Sequence, residues 1–149
     1  MAYHFKLETV LGLRRNLEEL AQQKLARELT LLEEQKLRLA ALQQQRQELI
    51  AEFEEKKQRQ MLASVFAFYM EGIFRKEQEV AAGLGLVETQ QGAVIQAREE
   101  LTGKVRDKKV MEKARERDYQ KFLLAGLKKE QNEADEQMVL RFGRKGNLH

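Results

Sequence analysis

Apolar side chains return along this chain every three or four residues. Leu13, Leu17 and Leu20 are spaced four and three apart, and Leu25, Leu29 and Leu32 repeat that spacing in a shifted phase. Leu39, Leu42, Arg46, Leu49 and Phe53 then step three, four, three, four. Such alternation averages about 3.5 residues, the period that keeps one apolar stripe against a partner helix. It predicts a helix over about 5–59, and the phase shifts predict irregular rather than strict supercoiling. A second seam reads Leu84, Val87, Gln91, Val94, Arg98, Leu101, Val105, Lys108, Glu112, Arg115, Tyr119 and Phe122. From Lys108 to Arg115 this seam turns polar, which predicts looser pairing there, or pairing with something other than the first helix. Opposite charges four apart, at Glu52/Lys56, Glu55/Arg59, Glu71/Arg75 and Glu100/Lys104, support exposed helix.

Punctuation is sparse. The chain has no proline, so no residue forces a break by a missing N–H and a ring clash. Ser64 is the sole serine, and Asn16, Asn132 and Asn147 are the only asparagines, so a fold with many turns is not expected. Two places could reverse the chain. Ser64 could cap a new helix by accepting a backbone N–H. Alternatively, Gly83-Leu84-Gly85 could end one, because glycine readily takes left-handed geometry. The pattern alone leans toward the glycines.

Composition narrows the picture to thin seams between helices. Charged residues make up 34%, aromatics 7%, and tryptophan is absent, which leaves little bulk for a thick core. With no cysteine, disulfides, Cys-based zinc sites and thiol nucleophiles are excluded, and a reducing compartment fits. The first residues, MAYHFKLETV, do not read as a secretory signal. The longest apolar stretch, Met61 to Met70, is interrupted by Ser64 and falls far short of the about 20 residues a membrane helix needs. A soluble protein is expected. The net charge of +3 is mild and mixed in sign. The most basic stretch, Lys104 to Lys121, reads as a solvated helix face, with an anionic partner surface as the alternative.

Catalytic chemistry is missing. The two histidines, His4 and His149, stand at opposite ends without neighbours at metal-ligand spacing, and both are expected to be solvated. Gly83-Leu84-Gly85 begins like a dinucleotide fingerprint, but Glu88 stands where the third glycine belongs. No phosphate loop is present, and a helical hairpin offers no pocket to perturb a carboxylate. No enzyme activity, metal or cofactor is expected. One stretch asks for more explanation. Met61 to Phe74 holds Met61, Leu62, Val65, Phe66, Phe68, Tyr69, Met70, Ile73 and Phe74, more apolar surface than one stripe can bury. It could plug the hairpin tip, bind a partner, or do both with different residues.

Two motifs carry a resemblance. Phe5-Lys6-Leu7-Glu8-Thr9-Val10-Leu11-Gly12-Leu13-Arg14 is similar to the opening of FliJ-family proteins, an aromatic followed by Leu-x-x-Leu/Val-Leu-x-Leu-Arg entering a long helix. Asn132-Glu133-Ala134-Asp135-Glu136-Gln137 resembles the family's acidic motif near the C-terminus. Tyr69 opening the second helix, the chain length and the lack of proline also fit, whereas Gly72 departs from the larger side chains common there.

The resemblance implies an all-α fold of two long helices in an antiparallel coiled-coil hairpin, similar to the central stalk of rotary ATPases. It selects the first reversal site, giving one elongated domain over 1–149, with helix one at about 5–59, a turn at about 60–65 and helix two at about 66–142. It implies a stalk of the bacterial flagellar type III export apparatus, cytoplasmic and peripheral to the inner membrane. Its implied partners are a hexameric export ATPase, the cytoplasmic domain of the membrane export gate and export chaperones, with no nucleic acid and no small-molecule substrate. Candidate partner-binding residues are Phe5, Leu7, Leu11 and Arg14; Tyr69, Ile73 and Phe74, expected to face outward near the tip; and Tyr119, Phe122, Leu123, Leu127, Asp135 and Glu136. The equivalent stalk of a virulence-type injectisome and a generic coiled-coil scaffold are the alternatives.

Overall fold

The computed structural model describes residues 2–146. They are 92% helical and contain no strand. Helix α1 spans Glu8–Lys57 (50 residues) and helix α2 spans Ala63–Gly146 (84 residues). The two pack against each other as a hairpin. The Glu8 carboxylate in the first turn of α1 and Lys56 and Lys57 in its last turn complement the helix dipole. The Arg59 amide donates to the Lys56 carbonyl as the chain leaves α1. The amides of Val65 and Phe66 both donate to the Leu62 carbonyl, so Leu62 opens α2. Ser64 therefore lies inside the first turn rather than capping it. Gly83 and Gly85, the competing reversal site, lie in the helical interior of α2.

The seam of α1 is stricter than the leucine pattern suggested. Leu11, Arg14, Glu18, Ala21, Leu25, Glu28, Leu32, Gln35, Leu39, Leu42, Arg46, Leu49 and Phe53 are all buried or half-buried, and they alternate steps of three and four throughout. Leu13, Leu20 and Leu29, expected on the stripe, are exposed. The phase shifts were produced by outward leucines, while polar residues hold several true seam positions.

The described residues divide into two compact units. In the unit Glu19–Gly103, Lys24 pairs with Glu100 at 3.1 Å and Arg46 with Glu77 at 3.2 Å. One residue number falls as the other rises, so the helices run antiparallel. The Gln90 amide donates to the backbone carbonyl and the carboxylate of Glu28. Val87, Val94 and Leu101 face inward as expected, but Gly83, Gln90 and Ala97 take the places expected of Leu84, Gln91 and Arg98. Small residues explain the offset at Gly83 and Ala97, and at Gln90 the side chain turns inward to hydrogen-bond Glu28. A Cβ on Gly83 would sit 3.2 Å from Leu39 Cδ1, and one on Gly72 3.3 Å from Leu49 Cδ2, so α1 leucines lie over both glycines.

The other unit joins the residues up to Glu18 with those from Lys104 onward. Its core is Phe5, Leu11 and Met111, with Tyr3, Val10 and Ala114 packed against it. Glu18 pairs with Lys108 and Glu8 with Arg115 at 3.1 Å, and Arg14 donates to the Asp107 carbonyl at 2.8 Å. The polar stretch from Lys108 to Arg115 thus does pair with the first helix, which supplies the opposite charges. Met111 rather than Glu112 is the buried residue there.

Candidate partner-binding surfaces

The N-terminal segment packs inward. Phe5 and Leu11 are buried, Leu11 completely, and Arg14 is spent on the Asp107 carbonyl. Of the four residues expected to meet a partner there, only Leu7 is exposed and uncommitted to the core. The segment's unforeseen contribution is Tyr3. Its hydroxyl lies 3.1 Å from the Asp118 carboxylate and 3.2 Å from the Arg115 carbonyl. Its ring meets Tyr119 edge-on at 5.0 Å and Phe122 at 5.3 Å. Burial of the phenol, followed by the hydrogen bond to Asp118, raises the Tyr3 pKa above its ordinary value. An aromatic two residues from a chain start carries no periodic signal, so sequence reasoning passed over it.

At the start of α2 the aromatic cluster splits in two. Tyr69 faces inward and is buried, against the outward placement expected for it. Its ring packs on Phe53 at 5.7 Å, and its hydroxyl donates to Glu52 at 2.9 Å. That hydrogen bond, followed by one from Lys56, lowers the Glu52 pKa below the usual carboxylate value. Lys56 lies over the Tyr69 ring and Lys57 over Phe53. Ile73 is half-buried. Phe66, Met70 and Phe74 recur four apart on an exposed face of α2, and Leu62 and Phe68 are exposed at more than 70%. Neither half of the cluster contradicts its dual reading, as plug and as patch, but the residues divide differently from the expectation.

The last stretch of α2, from Leu123, packs against nothing else among the described residues. Every described residue from Lys121 to Arg144 is exposed. Phe122, Leu123, Leu124, Leu127, Met138, Val139, Leu140 and Phe142 are among them, with Asp135 and Glu136 between. Tyr119 and Phe122 are partly covered by Tyr3, so the open apolar surface begins at Leu123. Among the described residues no group of acids and histidines could hold a metal ion, and no helix is long and apolar enough to cross a membrane. His4 is exposed, and His149 lies outside the described residues.

Compared with known proteins, residues 3–147 match a family model described as "Flagellar FliJ protein". No curated protein and no solved structure matches the chain.

Proposed function

The chain belongs to the FliJ family, and from that premise we propose that it is the stalk of a flagellar type III export apparatus, binding an export ATPase ring, the export gate and substrate chaperones. Membership itself implies a flagellar export stalk or chaperone-escort role. The observation that carries it is the exposed end of α2 from Lys121 to Arg144. A solvated helix needs no apolar side chains there, yet Leu123, Leu127, Met138 and Phe142 are exposed at 41%, 62%, 57% and 70%. An apolar face of this extent marks an interaction site. The bore of a ring ATPase would enclose such a helix, and mixed charges (Lys128, Lys129, Glu133, Asp135) suit contact with several subunits in turn. In the same reading the exposed face of Phe66, Met70 and Phe74 meets the export gate.

Mixing the chain with its export ATPase and following phosphate release tests the first contact. The full chain stimulates hydrolysis by promoting ring assembly, and a chain ending at Gln120 keeps its helical hairpin but neither binds nor stimulates. Stimulation by the truncated chain would place the ring contact elsewhere, on the N-terminal segment with Leu7.

A further inference from the structure

We propose that the exposed end of α2 also recognises a second copy of this chain, forming an antiparallel helix pair. The face in question runs through Leu123, Leu127, Gln131, Ala134, Met138 and Phe142, all exposed. Its steps are four, four, three, four, four, which read identically from either end. Turned about an axis between Asn132 and Glu133, one copy lays Leu123 on the second copy's Phe142, Leu127 on its Met138 and Gln131 on its Ala134. A two-fold contact requires this self-complementarity: what residue i offers j, j must offer i.

Charge selects the orientation. Along one flank of the face lie Leu124, Lys128, Asp135 and Val139, spaced four, seven and four apart, again the same in both directions. Antiparallel pairing brings Lys128 beside the second copy's Asp135, two residues or about 3 Å along the axis from strict opposition and within reach of a lysine side chain. Parallel pairing in register would turn this flank toward the second copy's other flank and set Asp135 near its Glu130, a like-charge contact. Within one chain Lys128 and Asp135 cannot meet, being seven residues or about 10 Å apart along the helix. The other flank carries Glu130 and Gln137, which the same turn brings side by side across the pair.

The pairing covers the same face that would enter a ring, so the two associations exclude each other. It does not rest on the ring reading: sedimentation of the chain alone decides it, whatever the ATPase experiment gives. In sedimentation velocity the full chain shows a concentration-dependent monomer–dimer equilibrium. Lys128→Glu or Asp135→Lys alone raises the dissociation constant about tenfold, and the double exchange Lys128→Glu/Asp135→Lys restores it. Leu127→Glu abolishes the dimer. Circular dichroism confirms that each variant keeps its hairpin. A chain that stays monomeric up to about 100 µM, or a double exchange no tighter than the single ones, overturns the proposal.

Discussion

Leu11 has no exposed surface and sits with Phe5 and Met111 in the core that joins the chain's start to α2. Leu11→Ala should cost about 3 kcal/mol, the lost transfer energy plus the cavity left behind, measured by denaturant unfolding. The neighbouring ion pair is read best through pH. The hydrogen bond from Lys108 to Glu18, the first of several causes, raises the lysine pKa above its usual value. A raised folded-state pKa stabilises while the ammonium is charged, and that contribution disappears as pH climbs through the raised value, above about 10.4. Lys108→Met should therefore flatten the loss of thermal stability as pH rises past the ordinary lysine range. At the tip the sign is opposite. Glu52, with its pKa lowered first by the Tyr69 hydroxyl, stabilises above the ordinary carboxylate range and loses that contribution on acidification. Tyr69→Phe should move the Glu52 titration upward, as seen by NMR of its carboxyl carbon. Tyr69→Ala should also lower the melting temperature, whereas Phe74→Ala should leave it nearly unchanged.

For the helices, the glycines of α2 separate two roles. A Cβ on Gly85 would meet nothing within 4 Å, so Gly85→Ala gains helix propensity, up to about 1 kcal/mol. Gly83→Ala gains less, because Leu39 Cδ1 must move from 3.2 Å. Thermal melts of the two variants, compared directly, check the difference. The same glycines show what was legible in the sequence. Helices and their great length follow from the three-and-four spacing and the missing proline. The seam's phase was readable where leucines occupy it, from Leu39 to Phe53. It was misread at Leu13, Leu20 and Leu29 because Arg14, Glu18 and Glu28 hold inward positions there, and a hydropathy pattern does not see a polar residue that faces its partner. On α2 the reading slipped by one residue wherever Gly83 or Ala97 stands at the seam, since a missing side chain registers as a gap. Among the candidate site residues, the unpartnered C-terminal face was visible as apolar spacing beyond the reach of helix one. The burial of Phe5, Leu11 and Tyr69 was not, because amphipathic positions look alike until a packing partner is known.

For the molecule as a whole, α2 changes character along its length. Up to Met111 its inward positions are covered; from Leu123 to Arg144 every residue is exposed. A helix without a packing partner depends on local propensity alone, and on those terms the helical form of this stretch is only marginally stable. Any partner that takes the helical form then binds with an affinity reduced by the fraction of chains already in that form. Gly126 and Gly143 lie in this segment, and a Cβ at either would meet nothing within 4 Å. Each replaced by alanine should raise helicity in circular dichroism and tighten binding several-fold, chiefly through a faster association, without adding a contact of consequence. Two glycines would thus act as a rheostat on recognition, setting how much of the chain is ready before any partner arrives.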